Sequence, residues 1–153
     1  MGVHLYTNGA WTDSGRIYRN SLNLFDYNAS HTPAINSYTY VISDLIPGQQ
    51  YTCSTNFAYV VSTASIYFGG GNSATDGVWA NQPKTKIADS DGTLQLSLRF
   101  QADLGAPPVY NDVLNGTIWV MVCKGATVLP YEPYNVVDWY TNTGHGYSSG
   151  AWD

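Results

Sequence analysis

The run Thr93-Leu94-Gln95-Leu96-Ser97-Leu98-Arg99-Phe100-Gln101 alternates apolar and polar residues from end to end. Side chains along a strand point to opposite faces in turn. Leu94, Leu96, Leu98 and Phe100 therefore share one face, and Gln95, Ser97, Arg99 and Gln101 the other. The pattern predicts a half-buried strand entered from a turn at Asp91-Gly92. A helix needs apolar residues at three- and four-residue spacing, and no long stripe of that kind competes with the alternation.

Further strands flank this one. Residues 36–45 set Tyr38, Tyr40 and Ile42 against Thr39, Val41 and Ser43, and Pro47-Gly48 then makes a turn. Residues 51–59 return, with Tyr51, Cys53, Thr55, Phe57 and Tyr59 on one side and Thr52, Ser54 and Asn56 on the other. Residues 60–68 follow and stop at Gly69-Gly70-Gly71. Residues 117–123 are apolar on both faces, as in a central strand covered on both sides. Short strands separated by turn signals indicate a β-sandwich or a barrel. Two long connections, 69–83 and 102–115, are where function or mobility is expected.

Composition agrees. The chain has 153 residues, enough for one substantial core, and is 44% hydrophobic but only 11% charged. Glu132 is the single glutamate, and residues that favour exposed helix faces are scarce. A net charge of −5 with six scattered Lys and Arg excludes nucleic acid as the expected partner. No apolar run approaches the ~20 residues of a membrane span, so no membrane insertion is expected. Met1-Gly2-Val3-His4 lacks the basic start and apolar stretch of a signal peptide. Cys53 and Cys123 both lie in strand-like runs. Two buried free thiols are the favoured reading, and a disulfide requires their strands to face each other.

The two ends repeat each other weakly. Tyr6-Thr7-Asn8-Gly9-Ala10-Trp11-Thr12-Asp13 near the start is echoed by Tyr140-Thr141-Asn142 and Gly150-Ala151-Trp152-Asp153 near the end. Asn8-Gly9 is a strong hairpin turn, so a small leading hairpin is expected, with the next module beginning in the same way. The chain thus reads as one domain cut from a longer protein. Residues 1–20 form a leading hairpin and linker, 21–135 the sandwich module, and 136–153 a C-terminal linker or the start of a next module.

The segment Gly125-Ala126-Thr127-Val128-Leu129-Pro130-Tyr131-Glu132-Pro133-Tyr134 resembles the closing motif of sandwich modules in bacteriophage tail and baseplate proteins. Asn23-Leu24-Phe25-Asp26 resembles their opening segment, and Leu45-Ile46-Pro47-Gly48-Gln49-Gln50-Tyr51-Thr52 their central turn. The three matches lie in the family's order and span residues 23–134. The resemblance implies an all-β fold, a jelly-roll-like antiparallel β-sandwich akin to carbohydrate-binding modules, here with the small N-terminal hairpin in front. It implies a place in the virion, on the phage tail tip, after synthesis in the host cytoplasm. The partners implied are host cell-surface polysaccharide and other phage tail proteins. The motifs themselves read as structural: Pro130 and Pro133 fix the backbone, and Tyr131 and Tyr134 pack over the sandwich edge. The long 69–83 and 102–115 connections depart from the family pattern, so a site built there is peculiar to this chain.

The chemistry expected is binding, not catalysis. Glycosidases need two facing carboxylates, whereas Glu132 sits between proline-fixed turns and the aspartates occupy turn contexts such as Asp13-Ser14-Gly15. His4, His31 and His145 lie far apart, with no GxSxG. Asp89-Ser90-Asp91-Gly92 lacks the later ligands of a calcium loop and reads as a hairpin turn. No enzyme activity, cofactor or metal is expected. A pyranose presents apolar C–H faces rimmed by hydroxyls, and an aromatic ring flanked by amides and carboxylates matches it. The chain holds 13 Tyr and 5 Trp. The expected carbohydrate site is Trp79 with Asp76, Asn81 and Gln82 in one long connection, and Tyr110 with Asn111 and Asp112 in the other. The competing use of Trp79 is to cap the core beneath its loop, and Trp119 reads as core. The competing function is a structural spacer or docking module of a tail appendage, which would use exposed aromatics at a protein interface.

Overall fold

The computed structural model describes residues 6–7, 10–11, 18–58, 63–70, 74–102, 105–138, 147–148 and 151–152. The strands are β1 (Tyr6–Thr7), β2 (Ala10–Trp11), β3 (Tyr18–Asn20), β4 (His31–Pro33), β5 (Ser37–Ile42), β6 (Gln50–Thr55) and β7 (Ile66–Phe68). They continue with β8 (Lys84–Ile87), β9 (Leu94–Arg99), β10 (Val120–Lys124), β11 (Val136–Asp138), β12 (Tyr147–Ser148) and β13 (Ala151–Trp152). Among the described residues helix is limited to α1 (Tyr110–Leu114) and a 3-10 turn at Ala74–Asp76. The fold is all-β, with every described strand pair antiparallel.

The chain divides into two compact units, Leu22–Tyr131 and the two end segments Met1–Ser21 and Glu132–Asp153. In the larger unit, a four-stranded sheet β4-β5-β9-β7 and a three-stranded sheet β10-β6-β8 enclose one core. Tyr40, Ile42, Ile66, Phe68, Leu94, Leu96 and Leu98 enter it from the first sheet, and Tyr51, Cys53, Val120 and Val122 from the second. The leucine alternation of β9 holds, since Leu94, Leu96 and Leu98 pair with Ile42, Tyr40 and Tyr38 on the core side. The other face of β9 is less open than its polar residues suggest. Ser97 and Arg99 are buried as well, and Arg99 donates to the Tyr67 hydroxyl at 2.6 Å and to the Ala64 carbonyl at 3.2 Å.

The second sheet is covered on both faces. Thr52 and Ser54, polar and opposite to the core side of β6, are buried with Met121 and Cys123 beside them. The backbone beyond β10 returns along this face: the Thr52 hydroxyl donates to the Gly125 carbonyl at 2.7 Å, and the Cys123 thiol to the Thr127 carbonyl at 3.6 Å. The edge of β10 is closed by the opening motif. Leu24 N–H donates to the Val122 carbonyl at 2.7 Å. The buried Asn23 amide accepts from Val122 N–H and from Phe25 N–H and donates to the Val120 carbonyl. One side chain thereby takes the part of a neighbouring strand, which leaves less bare ladder exposed.

Cys53 faces Val122 and Cys123 faces Thr52, so the two thiols lie on opposite faces of the sheet; both are free. Burial pushes the Cys53 thiol well above its usual range, with Cys123 adding to the rise, and burial also raises Cys123 itself. Tyr40 and Tyr131 are raised by burial too. An acid whose folded value lies above its unfolded one stays protonated in the fold while the unfolded chain ionises. The stability is therefore intact below the unfolded values, about 8.5 for Cys and about 10 for Tyr, and is lost as pH rises beyond them. The urea midpoint is expected to hold from about pH 7 to 8 and to fall steadily above about pH 9. A midpoint that stayed level to pH 11 would contradict this account.

In the smaller unit β3 pairs with β11, Tyr18 facing Asp138 and Asn20 facing Val136. The leading hairpin is present as β1 paired with β2, Tyr6 facing Trp11 and Thr7 facing Ala10; its Asn8-Gly9 turn lies outside the described residues. A second hairpin, β12 with β13, has the same register, Tyr147 facing Trp152 and Ser148 facing Ala151. The repeat seen in the described residues begins at Tyr147, and the Tyr140-Thr141-Asn142 segment lies outside them. A two-residue connection fixes the spacing between Tyr and Trp, and Tyr147-Ser148 to Ala151-Trp152 keeps it.

Candidate functional site

Strand β7 ends because Gly69 and Gly70 take φ of 105° and 90°, a region costly for other residues. A Cβ on Gly69 would stand 2.7 Å from the Lys86 side chain, whose stem crosses the glycine on its way to Asp76. The Lys86 ammonium meets Asp76 Oδ1 at 2.6 Å. Asp76, expected as a ligand contact, ties its loop to β8 through this ion pair. Further backbone contacts hold the described part of the connection. Gly77 bridges to Tyr67, and buried Val78 donates to the Ile66 carbonyl at 2.9 Å.

Trp79 and Gln82 bridge each other through two backbone hydrogen bonds of 3.3 and 2.8 Å, with Ala80 and Asn81 at the exposed tip. Ala80 N–H is anchored on the Phe57 carbonyl at 2.7 Å, and the Gln82 amide on the Gly77 carbonyl at 3.3 Å. The turn holds a half-buried indole beside the exposed amide of Asn81 and the half-buried amide of Gln82. Three of the four residues expected here share one rigid turn.

Helix α1 follows β9, with buried Val109 donating its N–H to the Arg99 carbonyl at 2.8 Å. Its first residue, Tyr110, is half-buried against Tyr38, ring centroids 4.5 Å apart, and against His31 at 5.5 Å. The Tyr110 hydroxyl lies 3.0 Å from His31 Nε2, and His31 Nδ1 lies 2.8 Å from the Ala29 carbonyl. Phe100 packs on Tyr38 at 4.5 Å, and Tyr40 closes on His31 at 4.6 Å. Asn111 and Asp112 serve α1 through their backbone carbonyls, which accept from Asn115 and Ile118; the Asn111 side chain is exposed and Asp112 half-buried. Among the described residues no hydrogen bond or ring contact joins Tyr110 to Trp79.

Sequence reasoning missed His31, Tyr38 and Phe100. His31 looked isolated because the residue that meets its Nε2 is 79 positions away. A third aromatic pair was read as core and motif: Trp119 and Tyr131 stack at 4.7 Å with 16° between planes, and Tyr131 is 38% exposed. Asn56 clamps the Trp119 end, accepting from its N–H at 2.8 Å and donating to the Thr117 carbonyl at 3.2 Å.

These patches offer rings, amides and hydroxyls. Among the described residues no three His, Cys, Asp or Glu are grouped to hold a metal ion, and no helix is long and apolar enough to cross a membrane. The chain matches no protein-family model, no curated protein and no solved structure.

Proposed function

We propose that this chain is a non-catalytic carbohydrate-binding module of a phage tail or baseplate protein, recognising host cell-surface saccharide for adsorption. The observation that carries the reading is the Trp79 turn: a half-buried indole on a pinned backbone, with the Asn81 and Gln82 amides beside it. A ring carried on a pinned backbone, beside an amide held by the Gly77 carbonyl, loses little entropy when it meets a pyranose face. A site this small binds weakly per copy, and adsorption then depends on many copies in the virion acting together. A jelly-roll-like strand connection belongs to the same proposal. The spacer reading has its own support in the repeated terminal hairpins, which suit a string of modules.

The test is capture of the tagged chain on host cells before and after removal of cell-wall polysaccharide. Trp79→Ala is expected to weaken capture by about tenfold, equivalent to about 1.4 kcal/mol, with an unchanged urea midpoint. Equal capture after polysaccharide removal, or an unaffected Trp79→Ala, would leave the spacer reading in possession.

A further inference from the structure

We propose that His31 is a positioning residue that fixes the hydrogen-bond polarity with which Tyr110 meets a ligand, a role that rests on Tyr110 belonging to the saccharide site. The Ala29 carbonyl can only accept, so His31 Nδ1, 2.8 Å away, must carry a proton. A neutral imidazole has one N–H, which leaves Nε2 as an acceptor. Its partner at 3.0 Å is the Tyr110 hydroxyl, which must then donate. With its proton committed to His31, Tyr110 offers a ligand lone pairs only. A sugar hydroxyl must donate to it.

Protonation of His31 reverses this. Nε2 takes a proton from solvent and becomes a donor to the Tyr110 oxygen, and the Tyr110 proton turns away from the ring. The acceptor then open to it is a ligand oxygen, since the Tyr40 hydroxyl keeps its own proton on the Tyr27 carbonyl at 2.9 Å. The titratable groups packed on the imidazole are Tyr38 and Tyr40 on β5 and Tyr110 on α1. In the preceding loop stand Tyr27 and Asp26, and the charge of Asp26 reaches Tyr40. The rings of Tyr38, Tyr40 and Tyr110, at 4.8, 4.6 and 5.5 Å, hold the imidazole in place, so its charge changes the hydrogen bond before it changes the packing.

The experiment uses the full chain with isotopically labelled histidine, His31 being assigned by its loss in His31→Gln. Nitrogen shifts of the neutral ring are expected to show the proton on Nδ1. Binding to purified host cell-wall polysaccharide is then followed from about pH 8 down to about pH 5. The wild type is expected to change affinity about threefold to tenfold, the worth of one hydrogen bond. Tyr110→Phe keeps the ring and its packing but loses the hydroxyl, and is expected to bind equally across that range. A neutral ring protonated on Nε2, or a pH profile that survives in Tyr110→Phe, overturns the role of His31. Absence of polysaccharide binding by every variant at every pH overturns the saccharide reading instead.

Discussion

Asn23→Ala is expected to destabilise the sandwich by about 3–5 kcal/mol, through loss of three hydrogen bonds that one buried amide makes at the edge of β10. The cost lies less in the bonds than in what is left behind. Val122 N–H and Phe25 N–H lose their acceptor and the Val120 carbonyl its donor, inside a region where Asn23 is 3% exposed. A buried group without a partner costs about 1–3 kcal/mol. Against a total stability of about 5–15 kcal/mol for a domain this is a large share. Asn23→Asp is the informative companion: it keeps the acceptor for both N–H groups but at neutral pH buries an unpaired charge beside the Val120 carbonyl, so in urea melts it should lose at least as much as the alanine variant. A loss well below that of the alanine variant would mean that the acceptor side alone holds this edge.

Gly92→Ala is expected to cost about 2–4 kcal/mol, on two grounds. Gly92 has φ of 74°, which for an alanine alone costs about 1–2 kcal/mol. A Cβ there would also stand 2.6 Å from the Leu45 carbonyl oxygen, a backbone atom that cannot swing aside. Leu45 N–H donates to the Gly92 carbonyl at 3.0 Å, so separating the two segments sacrifices that bond as well. Gly48 provides the control. Its φ is 80°, but its Cβ position has nothing within 4 Å, so Gly48→Ala should show the backbone cost without the collision. Thermal melts of the two variants side by side measure the difference, and equal shifts would refute the contact with Leu45.

Most of the sandwich was legible in the sequence because strand alternation is a local signal. Leu94, Leu96 and Leu98 are each almost fully buried on the face that the pattern assigned to them. What the pattern missed was burial imposed from far along the chain. Arg99 and Ser97 are polar and buried because the guanidinium finds the Tyr67 hydroxyl and Ser97 the Thr39 hydroxyl, at separations of 32 and 58 residues. Thr52 is buried where the Gly125 carbonyl, 73 residues later, accepts from its hydroxyl. The Asn23-Leu24-Phe25-Asp26 motif was noticed, but that an amide side chain stands in for a strand neighbour follows only from where β10 lies.

The candidate site was legible where it is local and hidden where it is not. Trp79, Asn81 and Gln82 sit within four residues, and a tight turn makes them one patch. Asp76 is equally close in sequence, yet Lys86 from β8 claims it. Tyr110 keeps company with His31 and Tyr38 in place of its sequence neighbours Asn111 and Asp112. No periodicity reports such a meeting, because it depends on how α1 returns to β4 and β5.

The pairing of β3 with β11 has a mechanical meaning. Tyr18 and Asp138, from which the two ends of the chain lead away, face each other at the same end of the ladder. Tension applied through those ends therefore opens the pair rung by rung, from Tyr18–Asp138 toward Asn20–Val136, and never loads all the hydrogen bonds at once in shear. Such a zipper yields one rung at a time and lengthens the chain before any pull reaches the residues inside it.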